Sequence, residues 1–117
     1  MKQQTSIASR PVMLKAGDEL VRFSLEDLVF VEADRAYCNL HMVDGRMYNI
    51  AHPLAYMEPL LPKEHFVRVN RSYIVNVWHI TRKRVNQLFF TDSKGETPIV
   101  ISENYRHALD DAFTIIG

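Results

Sequence analysis

Asp44-Gly45 stands between two strand-like segments, Tyr37–Val43 and Arg46–Ile50. A D-G pair in that setting specifies a tight β-hairpin, because the favoured two-residue turn needs backbone angles that Asp tolerates and Gly adopts freely. The pair commits the middle of the chain to antiparallel pairing, and the flanking sequence continues in the same style. Leu28–Ala33 (LVFVEA) is almost continuously apolar, as a central strand covered on both faces would be. Val12–Lys15 and Glu19–Ser24 flank Gly17-Asp18 as a second hairpin. Phe66–Val69, Tyr73–Val77, Gln87–Thr91 and Pro98–Ile101 are further strands, the last two joined by a turn over 93–96.

Helical signals are short and confined to three places. Ser24 and Asp27 bracket a turn over S-L-E-D, with the serine as its cap. Pro53 opens an amphipathic segment with Leu54, Met57 and Leu61 on one face, and Pro59 and Pro62 stop it. A closing helix is expected from Glu103 to about Ile115, with Ser102 as N-cap and Tyr105, Leu109 and Phe113 as its apolar stripe. The expected fold is therefore mainly β, with small, mostly antiparallel sheets, a short central helix and a C-terminal helix.

At 117 residues and 47% apolar content the chain suits one domain with one core. Residues 1–10 are polar and aperiodic and read as a disordered arm, leaving 11–117 as the domain. A single cysteine, Cys38, excludes an intrachain disulfide scaffold, and no Cys/His spacing suits zinc. No apolar run approaches membrane-spanning length and no signal peptide opens the chain, so a cytoplasmic location is expected. Net charge is zero, which argues against a uniformly basic surface. Charge is nonetheless segregated: Lys63, Arg68, Arg71, Arg82, Lys83 and Arg84 have only Glu64 as a counter-charge between residues 63 and 84. That clustering reads either as a binding face or as a solvated one.

Converging catalytic groups are absent from the sequence pattern. There is no Gly-rich phosphate loop and no G-x-S-x-G, and the five histidines are scattered singly. Cys38, within a strand, reads as a small half-buried residue rather than a nucleophile. No enzyme activity, cofactor, metal or small-molecule substrate is expected. The segment that rises above this background is His65–Asn76, where FVRV and YIV are interrupted by Asn70-Arg71-Ser72. Polar and guanidinium groups are thereby held at the end of a rigid sheet. Arginine there can fork onto guanine or phosphate and asparagine can pair with adenine, unless the turn merely solves a backbone problem.

F-V-E-A at Phe30–Ala33, Tyr37 soon after, D-G before an outgoing strand, F-V-R-V-N-R-S-Y-I-V-N at Phe66–Asn76 and S-E-N-Y-R before the terminal segment together resemble the LytTR DNA-binding domain of bacterial transcriptional regulators. The resemblance extends over about Val12 to Ile116. It implies an elongated domain that reads double-stranded DNA through loops set into successive major grooves, at sites that are commonly paired repeats. A homodimer on DNA, and a receiver domain or membrane partner, follow as expected partners. No receiver-like segment precedes the domain, which fits a stand-alone regulator or an output domain cut from a longer one.

Carried onto this sequence, the resemblance marks three loops. The first offers Arg35, Tyr37 and Asn39. The second is Asn70-Arg71, with asparagine where relatives often have histidine. The third is Ser102–Arg106, which offers Asn104 and Arg106 but has Glu103 where many relatives have arginine. Arg82, Lys83 and Arg84 are the expected phosphate contacts. Arg68, in phase with Phe66, is read as a partner of Glu32 on a neighbouring strand or as a phosphate contact. Glu103 and the neutral charge leave one alternative, a protein-interaction or regulatory module on the same fold with weak or lost DNA affinity.

Overall fold

The computed structural model describes residues 10–117, so the expected N-terminal arm lies, Arg10 apart, outside the described residues. Strands β1 (Val12–Ala16) and β2 (Glu19–Phe23) form a separate hairpin. A 3₁₀ turn over Leu25–Asp27 leads into β3 (Leu28–Asp34), which pairs with β4 (Tyr37–Met42). That turn is closed by the Asp27 N–H on the Ser24 carbonyl, and the Ser24 side chain caps nothing. β5 (Met47–Ile50) follows across a loop of residues 43–46, wider than the two-residue turn that Asp44-Gly45 predicts: the Gly45 N–H donates to the Met42 carbonyl and only Gly45, at φ 90°, takes a positive φ there. β6 (Phe66–Asn70) and β7 (Tyr73–Asn76) complete an antiparallel five-stranded sheet in the order β5-β4-β3-β7-β6. β8 (Ile80–Arg84), β9 (Gln87–Asp92) and β10 (Gly95–Val100) form a three-stranded sheet.

Two cores lie on opposite faces of the five-stranded sheet. One holds Phe23, Leu28, Val31, Leu40, Phe66 and Ile74 against the short helix α1 (Leu54–Met57) and the β1–β2 hairpin. The other holds Val29, Phe30, Val69, Val75, Leu88, Phe90, Ile99 and Leu109 against the three-stranded sheet. β3 is therefore central and covered twice, which is why its sequence shows no alternation. A register shift between Leu28 and Phe30 lets the consecutive Val29 and Phe30 both serve the second core. The overall extents, 49 × 40 × 27 Å, describe a flattened body.

Two elements depart from the sequence expectation. Ile80–Arg84 is a strand, although four of its five residues are exposed and it carries too few apolar side chains to announce itself. The closing segment is a 3₁₀ turn over Glu103–Tyr105 followed by hydrogen-bonded turns through residue 112, not a helix to Ile115. Ser102 makes no side-chain capping bond. Leu109 is buried, but Tyr105 is only half-buried and Phe113 is 39% exposed, so the stripe anchors through Leu109 alone. A short helix without a buried face is marginal in water.

Candidate nucleic-acid interface

The loops that follow β3, β6 and β10 meet at one end of the five-stranded sheet, and main-chain bonds hold them there. The Ala33 N–H donates to the Ser72 carbonyl at 2.8 Å, tying the β3–β4 turn to the β6–β7 turn. The Ser102 N–H donates to the Val69 carbonyl at 3.0 Å, tying the third loop to β6. The tip of β8–β9 joins the same end, because the Ile101 N–H donates to the Asn86 carbonyl at 2.7 Å.

Each turn has its own local cause. Asp34 pairs with Tyr37 across a two-residue turn, and Arg35 sits there at φ 60°, a position glycine normally fills. Holding arginine in that region costs about 1–2 kcal/mol, a strain that recurs where function fixes a side chain. Arg35 is fully outside the sheet, and Tyr37 is 47% exposed beside it.

In the second turn Asn70 is occupied internally. Its side-chain oxygen accepts from the Ser72 N–H at 2.7 Å, and its Nδ2 donates to the Val100 carbonyl at 2.7 Å, bracing the turn against β10. The adenine-pairing geometry raised by the sequence needs both of those amide atoms. Arg71, by contrast, is exposed. Beneath it lies Arg68, whose Nε donates to the Asn70 carbonyl at 3.0 Å and Nη2 to the Arg71 carbonyl at 2.8 Å, while Nη1 meets Glu58 at 2.9 Å. Arg68 is thus a clamp on the turn's main chain. The expected Arg68–Glu32 pair does not form, because the two side chains leave opposite faces of the sheet with β7 between them.

Glu32 serves a different network. It accepts from His41 Nε2 at 2.8 Å and from the Tyr73 hydroxyl at 2.9 Å, joining β3, β4 and β7 just below the loops. Burial raises its carboxyl, but the bonds from His41 and Tyr73 outweigh that and hold it below the ordinary glutamate value. Burial and the same bond push the Tyr73 phenol up to about 12. Asn39 sits across from Glu32, only 8% exposed, and accepts from Asn49 Nδ2 at 2.6 Å. It braces strands instead of facing solvent.

In the third loop Asn104 is exposed, and Arg106 pairs with Glu103 at 3.1 Å one turn away. The Arg82-Lys83-Arg84 run lies on β8 and not in a loop. Arg82 lies 3.8 Å over the Phe89 ring and pairs with Glu96 at 3.1 Å. Lys83 folds back onto the Val85 carbonyl, and Arg84 stands exposed opposite Gln87 at the strand tip. Among the described residues no carboxylate lies within ion-pairing distance of Arg35, Arg71 or Arg84.

The end of the sheet that carries the loops therefore also carries unpaired cations. Sequence reasoning missed Arg68 as a clamp, and named Arg82, Lys83 and Arg84 without the β8–β9 hairpin that carries them; the F-V-R-V phase put Arg68 on the Phe66 face, but only tertiary structure brings Glu58 to it. A groove of about 630 Å³ lies at the opposite end between Phe23, Leu25, Phe66 and Trp78. The loop end is a projecting surface and not a cavity. Among the described residues no group of three or more His, Cys, Asp or Glu side chains is placed to hold a metal, and no helix is long and apolar enough to cross a membrane.

Residues 18–114 match the model of the LytTr DNA-binding domain. The chain belongs to the LytTR family. It is 24% identical over 110 residues to the sensory transduction protein LytT of Bacillus subtilis, an alignment that takes in 92% of this chain and 45% of that protein. The chain thus spans less than half the length of that relative. Its fold is similar to the LytTr DNA-binding domain of a methyl-accepting/DNA response regulator from Bacillus cereus, with a TM-score of 0.64 and 25% identity over 86% of this chain and 96% of that one. LytTR is a family of DNA-binding domains and not of enzymes, and DNA is the partner that membership assigns.

Proposed function

We propose that this LytTR domain reads specific sequences in double-stranded DNA by presenting its three tied loops to successive major grooves, as the output part of a transcriptional regulator. The observation that supports this most is the convergence of Arg35, Arg71 and Asn104 at one end of a sheet, on loops fixed to one another by the Ala33–Ser72 and Ser102–Val69 main-chain bonds. Loops held that way arrive already ordered, so binding spends little on fixing them. Arg35 and Arg71 are the base-reading guanidiniums, with Tyr37 and Asn104 beside them. Arg84 and Lys83 make sequence-independent phosphate contacts, and Arg106, held by Glu103, makes a weaker one. Arg82, paired with Glu96, contributes less, and Asn70 and Asn39 shape the surface from beneath.

Two copies of the domain occupy paired repeats, and the regulatory signal reaches it from a receiver domain; a sensory transduction protein and a response regulator stand among the relatives. The site of action is then the cytoplasm. Selection of bound fragments from random duplex DNA tests this reading: it requires an enriched motif with repeated half-sites, bound with affinity that falls steeply with salt. Enrichment of no motif, with capture only by a partner protein, would favour the protein-interaction alternative.

A further inference from the structure

Val85 combines two properties that stability alone disfavours. It sits at φ 55° at the tip of the β8–β9 hairpin, and its side chain is 83% exposed. A β-branched residue at positive φ is a genuine outlier, since its branched carbon crowds the backbone, and an exposed valine gains no burial in return. Glycine or asparagine would close this turn without strain. Strain of that kind is characteristic of positions where function fixes the side chain.

The surroundings say what such a side chain meets. The tip is tied to the third loop by the Ile101 N–H on the Asn86 carbonyl, so Val85 belongs to the loop-bearing end of the molecule. Lys83 Nζ bonds the Val85 carbonyl at 2.6 Å and Arg84 is exposed next to it, which sets an apolar tip among cations. Cations hold phosphates, and the one apolar group that a base edge presents in the major groove is the C5-methyl of thymine.

We propose that the β8–β9 tip is a fourth DNA-contact element, in which Val85 packs against a thymine methyl while Arg84 holds the adjoining phosphate. The proposal rests on the DNA-reading assignment above and adds to it a contact made through apolar packing.

The experiment uses the duplex selected by the wild-type domain and a set of versions in which each thymine in turn is replaced by deoxyuridine, which lacks only that methyl. Wild-type affinity is expected to fall about fourfold at one thymine per half-site, the worth of burying one methyl group. Val85→Gly is expected to bind the thymine duplex more weakly and to show no response to that replacement. The same variant should melt higher, by roughly 2–6 °C, because the turn is relieved. Val85→Asn, which tolerates the backbone angle, serves as the second variant and should also lose the methyl response. A wild-type domain indifferent to every deoxyuridine, a selected site without thymine, or a variant that responds as the wild type does would overturn the proposal. Absence of salt-dependent DNA binding by the wild type would instead overturn the DNA reading itself.

Discussion

Removing the Arg68 guanidinium should loosen the second loop without dissolving the fold. Three bonds are lost in Arg68→Ala: those to the Asn70 and Arg71 carbonyls at 3.0 and 2.8 Å and the ion pair with Glu58 at 2.9 Å. A bond from a charged donor contributes about 1.5–3 kcal/mol; the Arg71 carbonyl is exposed and regains water, which places its bond near 1 kcal/mol, while the Asn70 carbonyl is partly buried and its bond stands at about 1.5 kcal/mol. The Glu58 side chain is 49% exposed, so its pair adds at most about 1 kcal/mol. The expected cost is about 3 kcal/mol for Arg68→Ala, and about 1–1.5 kcal/mol for Arg68→Lys, whose ammonium can follow one carbonyl but cannot reproduce the fork. Urea denaturation measures the total. Amide exchange at Ala33, whose N–H is bonded to the Ser72 carbonyl, reports the turn itself and should accelerate more than exchange in the middle of β3. Discrimination between selected and random DNA should fall in the same order, with the salt slope unchanged. A loss below about 0.5 kcal/mol in Arg68→Ala with Ala33 exchange unaltered would refute the clamp, since that is the range of an inconsequential surface change. A salt slope shallower by one unit would make Arg68 a phosphate anchor instead.

Arg71→Ala should weaken binding to the selected site by about 1–3 kcal/mol and relax preference at one or two positions; equal loss on random DNA in a titration would show a phosphate contact in its place. Because the Glu32 carboxyl is held below its ordinary value of 4.5, its contribution is fully present above that pH and is lost as pH falls through the lowered value. Stability measured from pH 6 to pH 3 should therefore drop less steeply in Glu32→Gln than in the wild type, and parallel curves would exclude Glu32 as a source of the acid sensitivity. Glu103→Arg removes a carboxylate from the loop-bearing end and frees Arg106 from its 3.1 Å pair, so affinity should rise at low salt; an unchanged value would place the third loop away from the duplex.

What could be read from the residues follows from how locally each feature is determined. The Asp44-Gly45 hairpin and the doubly covered β3 were legible because turn chemistry and an unbroken apolar run act over a few neighbours. β8 was not, since an exposed strand of Thr, Arg and Lys is defined by its partner β9 and not by its own pattern. The terminal stripe of Tyr105, Leu109 and Phe113 has helical spacing but only Leu109 finds a buried place, and spacing cannot report what lies opposite. At the site, the exposed positions of Arg35, Arg71 and Asn104 agree with their being loop residues. The internal occupation of Asn70 and the burial of Asn39 depend on Val100 and Asn49, residues from strands that the local sequence does not name.

The bonds that gather the loops, Ala33 to Ser72, Ser102 to Val69 and Ile101 to Asn86, run from peptide group to peptide group. They are indifferent to side-chain identity. The letters displayed at 71 and 104 are thereby uncoupled from the frame that displays them, much as type is from the block that holds it, whereas the side chains of Arg68 and Asn70 belong to the block. A lineage built on this frame can exchange the residues at 71 and 104 and wander to new target sequences without passing through unfolded intermediates. Position 35 is less free, because its left-handed backbone narrows the choice and confines drift there to residues that tolerate it.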